Sequence, residues 1–138
     1  GKVWIASFIF TRCAGSCPVM THHLARMQAE LPVRDDLKLV SVSVDPVRDT
    51  PAVLAKYAAE YGADRSRWWF LTGEKATIRR LSRETFKLAL DDSTDTIVHS
   101  TKFVLVDRDA AIRGYYDGLD VETLKQLKRD VERVLAEK

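Results

Sequence analysis

Cys13 and Cys17 are the only cysteines in the chain, and they stand four apart at the end of an apolar run, Val3 to Phe10. The intervening Ala14-Gly15-Ser16 reads as an exposed turn, which argues against two incidental core cysteines. Pro18 follows directly and suits the first position of a helix, since its φ is preset and its missing donor is unpaired there anyway. Both sulfurs therefore fall near a helix N-terminus, where the dipole favours thiolate over thiol. On one helix face such a pair has Cβ atoms about 5–6 Å apart. A disulfide needs Cα atoms within about 4.4–6.8 Å, so bridging requires the loop to relax. A metal spans the gap more easily, through two bonds of about 2.3 Å. Both uses stay open at this level, whereas a framework role does not, because the loop closed is too short to stabilise much.

Two thiolates rarely complete a metal site, and three histidines could add to them: His22, His23 and His99. His22 and His23 are adjacent on the first helix, face different directions and are expected to be solvated. His99 lies in Ile97-Val98-His99-Ser100-Thr101, just before a late strand. Two soft sulfurs and one imidazole suit copper, with zinc as a competitor. Met20 is expected to pack inside its helix rather than serve as a fourth ligand.

The elements that must position these residues follow from apolar periodicity. Val3 to Phe10 reads as a strand buried on both faces. Leu24, Met27 and Leu31 recur at helical spacing until Pro32. Leu37 to Val44 is a second strand, with Val40, Val42 and Val44 on one face and Ser41 and Ser43 on the other. Asp49-Thr50-Pro51 starts a helix, with Asp49 as its cap and Val53, Leu54, Tyr57, Ala58 and Tyr61 as its buried stripe. Trp68 to Leu71 is a short strand in which one tryptophan enters the core and the other stays exposed. Ile78, Leu81, Thr85 and Leu88 predict another helix. Thr101 to Val106 and Ala111 to Tyr116 form a hairpin around Asp107-Arg108-Asp109, and Val121 to Leu135 a closing helix. This order predicts an α/β fold of thioredoxin-like type: a central mixed sheet with helices on both faces and an inserted helix-strand segment, Pro51 to Leu71. In that fold the loop carrying His99 passes beside the cysteine pair.

Residues 1–138 read as a single domain, with 46% apolar and 30% charged residues. The net charge of +2 arises from interspersed signs, which gives no basis for nucleic-acid binding. No stretch reaches the about 18 apolar residues of a membrane span.

Several segments together resemble the Sco/SenC/PrrC family: Phe8-Ile9-Phe10-Thr11-Arg12-Cys13, Cys17-Pro18-Val19-Met20-Thr21, Ser43-Val44-Asp45-Pro46, Asp49-Thr50-Pro51, Phe70-Leu71-Thr72-Gly73, His99 through Asp107, and Gly114-Tyr115-Tyr116-Asp117-Gly118. They occur in order over nearly the whole chain. The resemblance implies a membrane-anchored copper protein that helps assemble the binuclear copper site of cytochrome c oxidase. It implies copper, as Cu(I) or Cu(II), on Cys13, Cys17 and His99. It also implies a copper-site subunit of the oxidase, or another copper acceptor, as partner. A thiol reductant would keep the pair reduced. The expected form is a monomer on the periplasmic side of the bacterial inner membrane, or in the mitochondrial intermembrane space. Ala14 stands where many members have Pro, and the family's N-terminal hairpin and anchor are not among these residues.

The resemblance further suggests that the acidic loop of Asp45 and Asp49 lies near the metal and receives a partner; the plainer reading is that Asp45 shapes a turn and Asp49 caps a helix. Asp49 and the exposed tryptophan are the expected docking contacts. The leading function is a copper chaperone. The alternative is a thiol-disulfide oxidoreductase in which Cys13 and Cys17 are the catalytic pair; a peroxidase is a third, with weaker motif support.

Overall fold

The computed structural model describes residues 1–11, 16–81 and 101–137. Its elements run β1 (Val3–Ile9), α1 (Ser16–Glu30), β2 (Leu37–Ser43), α2 (Pro51–Glu60), β3 (Trp68–Leu71), α3 (Lys75–Arg80), β4 (Lys102–Val106), β5 (Ile112–Asp117) and α4 (Val121–Ala136). The strands form one mixed sheet in the order β3-β2-β1-β4-β5. β2 pairs parallel with both β1 and β3, while β4 pairs antiparallel with β1 and β5. This is the predicted thioredoxin-like arrangement, with β3 of the inserted segment extending the sheet at its edge.

The continuous apolar run of β1 follows from its central place, since residues of both parities are buried. Val3 and Ile5 join Leu37, Leu39, Trp68, Phe103 and Leu105 under α1 and α4. Ala6 and Phe8 join Val40, Val42, Val104 and Val106 on the opposite face, where Ile78 of α3 packs. Met20 lies fully buried in the first of these cores, as its position predicts.

The serines of β2 are fully buried, and each has a partner. Ser7 and Ser41 are register partners with hydroxyls 3.0 Å apart, and Trp68 Nε1 donates to Ser41 Oγ at 3.0 Å. Trp68 thus enters the core and Trp69 stays 42% exposed. The hairpin turn is built by the Asp107 carboxylate, which accepts from the Asp109 and Ala111 amides at 2.9 and 3.0 Å.

Three local expectations change. Helix α1 begins at Ser16, so Pro18 is its third residue rather than its first; its missing donor is still among the four that a helix start leaves unpaired. Thr50, not Asp49, caps α2, accepting from the Val53 amide at 3.3 Å. Val53 is exposed, because Leu54, Tyr57, Ala58 and Tyr61 already complete the helical stripe and Val53 sits one position off it. Of the predicted third helix, Ile78 and Leu81 are seen packing on the sheet, whereas Thr85 and Leu88 lie outside the described residues. No helix among the described residues is long and apolar enough to cross a membrane.

Gly118 fixes how the end of β5 meets α1. A Cβ there would stand 2.9 Å from the Thr101 carbonyl oxygen, 3.1 Å from Met20 Cγ and 3.1 Å from Phe103 Cε1. The carbonyl belongs to backbone and cannot swing aside. Gly118→Ala should therefore destabilise the fold by about 1–3 kcal/mol in urea unfolding; an unchanged midpoint would contradict this packing.

Candidate metal centre

Cys17 lies in the first turn of α1, 0% exposed, against Ile9 at the end of β1 and Tyr57 of α2. Phe10, Tyr61 and Phe70 close this small cluster. The helix start favours negative charge on the sulfur, as the spacing predicts. Cys13 and His99 lie outside the described residues.

The described residues on either side are themselves fixed by hydrogen bonds. The Asp49 carboxylate is 0% exposed and accepts from the Thr11 amide at 3.1 Å, from the Thr11 hydroxyl, and from Ser43 Oγ at 2.7 Å. Ser43 Oγ accepts in turn from the Asp45 amide at 3.1 Å. One side chain thus ties the last residue before the cysteine loop to the end of β2. On the other side, the Gly118 amide donates to Thr101 O at 2.8 Å, with Met20 packed against the same glycine. Thr101, two residues after His99, therefore lies close to the N-terminal half of α1.

Among the described residues neither helical histidine joins a group that could hold a metal. His22 is exposed. His23 is half-buried, and its Nδ1 lies 2.7 Å from the Gly118 carbonyl; a carbonyl only accepts, so Nδ1 carries the hydrogen. His23 is thus more engaged than expected, because the turn at Gly118 reaches across to it.

The acidic loop also differs from expectation. Asp45 shapes its turn as predicted, its carbonyl accepting from the Arg48 and Asp49 amides at 3.2 and 2.8 Å. Its carboxylate is buried beside Arg48 at 3.4 Å. Asp49 is wholly interior and cannot be a docking contact. Its burial was missed because an Asp-Thr-Pro sequence reads as a capped helix start, and only the fold brings Thr11 and Ser43 to it. Trp69 lines a groove of about 480 Å³ with Gly1, Lys2 and Ala110, toward the start of β1 and away from Cys17.

The Thr21–Tyr57 pair was also not singled out as functional from sequence. Thr21 Oγ1 and the Tyr57 hydroxyl are 3.0 Å apart in the interior. Burial holds the Tyr57 phenol above its ordinary value; the Thr21 hydrogen bond opposes the rise, and Tyr61 and Cys17 add to it. The available signal was spacing, since Thr21 follows Cys17 by one helical turn.

Among the described residues no group of three or more His, Cys, Asp or Glu could hold a metal. What they do offer is a soft sulfur in an aromatic and aliphatic pocket, while the Asp49 carboxylate is already occupied by three donors. That environment fits a soft ion better than a hard, oxygen-ligated one.

The SCO1/SenC family model matches residues 1–136. The chain belongs to the SCO1/SenC family. The SCO1 protein homolog of Bacillus subtilis is 35% identical over 136 residues, covering 96% of this chain and 70% of that protein. Among solved structures, BsSco has a TM-score of 0.83 at 33% identity, with 99% of this chain and 82% of that one covered. It is described as a member of the Sco family of cytochrome c oxidase assembly proteins with a disulfide switch. Arabidopsis thaliana ScoI with copper bound has a TM-score of 0.75 at 26% identity, with 96% and 85% covered.

Asp49→Ala should strand the Thr11 and Ser43 donors in the interior. The expected cost is about 3 kcal/mol, measured by denaturant unfolding. A loss below about 0.5 kcal/mol would mean the tie is not formed in solution.

Proposed function

We propose that this chain carries one copper ion on Cys13, Cys17 and His99 and delivers it to the binuclear copper site of cytochrome c oxidase during assembly. The observation that carries the reading is Cys17 in the first turn of α1, buried beside a loop root held by Asp49. The family membership, and the copper held by the Arabidopsis relative, support the metal. The motif position of His99, just ahead of β4, supports the third ligand.

A site made from a loop pair and one distant imidazole suits transfer. Thiolates of an acceptor replace the imidazole first and then each sulfur in turn, so every step exchanges one bond for another. The acceptor is a copper-binding domain outside the cytoplasm, reached while this chain is tethered to the membrane on the periplasmic side of a bacterium. A mitochondrial intermembrane space would pose the same geometry.

A second reading draws on the disulfide switch of BsSco. One thiolate of the pair attacks a disulfide on the acceptor, breaking its S–S bond to form a mixed disulfide and expel one acceptor sulfur, which is protonated to a thiol. The other cysteine then displaces the second acceptor sulfur, which leaves as a thiol once protonated. The pair ends as a disulfide, and a thiol reductant must return its two electrons.

Mixing the copper-loaded chain with a reduced oxidase copper-site domain, and following the metal by absorption, separates the readings. Delivery predicts that copper moves to the acceptor. Full retention, with the acceptor folded and reduced, would contradict delivery and favour thiol reduction.

Mild oxidation of the metal-free protein should remove two hydrogens by mass without forming a dimer, because a helix-start thiolate promotes exchange within the pair. Recovery only of intermolecular dimers or sulfonic acids would rule out the intramolecular bridge.

A further inference from the structure

Tyr57 reaches Cys17 from a different helix. Its ring packs in the cluster of Ile9 and Cys17, flanked by Tyr61 at a ring-centroid distance of 4.9 Å and by Phe70 at 6.2 Å, edge-on. Its hydroxyl is fixed by Thr21 Oγ1 at 3.0 Å, and Thr21 is 0% exposed. Tyr61 brings a second phenol to the Tyr57 hydroxyl, and the other members, Ile9, Phe10 and Phe70, are hydrocarbon or aromatic ring. The pair therefore brings polar hydroxyls into a largely apolar pocket around a thiol. Packing alone does not call for this, since phenylalanine would fill the same volume without a buried hydroxyl to satisfy.

We propose that Tyr57, oriented by Thr21, is a positioning residue that sets the electronic character of the Cys17 sulfur. This deepens the proposed function and rests on Cys17 acting in it. A hydroxyl dipole beside sulfur stabilises its electron-rich forms, the thiolate and the metal-bound thiolate. It does less for a disulfide, which carries no charge. Hydrogen bonding and polarity around a cysteine sulfur tune both metal sites and redox poise in this way. Removing the hydroxyl while keeping the ring should favour the disulfide and raise the energy of the sulfur lone pairs.

Two readouts test this on the intact chain. In a glutathione buffer, Cys13 and Cys17 give two electrons and two protons to glutathione disulfide, which becomes two glutathione thiols. Tyr57→Phe should move this equilibrium roughly three- to tenfold toward the protein disulfide. The sulfur-to-copper charge-transfer band of the Cu(II)-loaded variant should move to longer wavelength. Thr21→Val, which removes one partner of the Tyr57 hydroxyl and keeps the hydroxyl itself, should give smaller changes of the same sign. A purely structural Tyr57 would move neither readout, because the ring is retained. An unchanged equilibrium and band in Tyr57→Phe overturn the proposal, and an unchanged Thr21→Val removes Thr21 from it. A parent protein that forms neither the disulfide nor the copper band defeats the proposed function, and this inference with it.

Discussion

A carboxylate with no solvent exposure must have its lone pairs filled from within the protein, or its burial costs several kcal/mol. At Asp49 that requirement organises the functional end of the sheet. Its donors come from Thr11, the last described residue before the cysteine loop, and from Ser43, the last residue of β2. The next residue, Thr50, caps α2. One buried side chain thus fixes where β1 ends, where β2 ends and where α2 begins, and α2 carries Tyr57 to Cys17.

The sheet supplies the rigidity behind it. β1 is central and buried on both faces, with α1 and α4 over one and α3 over the other. Polar groups inside this layer are satisfied locally, as in the Ser7–Ser41–Trp68 chain. The parallel β1–α1 unit places a helix start at the end of a central strand, where open α/β sheets commonly present their ligands. Cys17 occupies that start. The turn at Gly118 brings β5 and the entrance to β4 against α1 from the other side. Thr11 and Thr101, two residues before Cys13 and two after His99, are thus each fixed by a hydrogen bond, to Asp49 and to Gly118.

Much of this was legible in the sequence, because the apolar pattern has few alternatives. The run Val3 to Phe10 permits only a doubly buried strand, and the alternation Val40, Val42, Val44 fixes which face β2 turns to α3. The place of Cys17 at a helix start was legible from the apolar run before it and from Pro18 beside it. Side-chain direction at loop residues was not. Asp49 and Thr50 are both good caps, and the choice between them depends on Thr11, 38 residues away along the chain. Tyr57 fits an apolar stripe whether or not its hydroxyl has a task, so periodicity is blind to it. His23 looked like a surface residue because its partner, the Gly118 carbonyl, is 95 positions distant.

The central claim is that Cys13, Cys17 and His99 form one copper site, and metal titration of the reduced protein beside a His99→Ala variant tests it most directly. The account predicts one Cu(II) per parent chain with a sulfur-to-copper charge-transfer band. It predicts loss of most Cu(II) affinity in His99→Ala, with some Cu(I) still held by the sulfurs. Identical titrations of the two proteins in both oxidation states would contradict it.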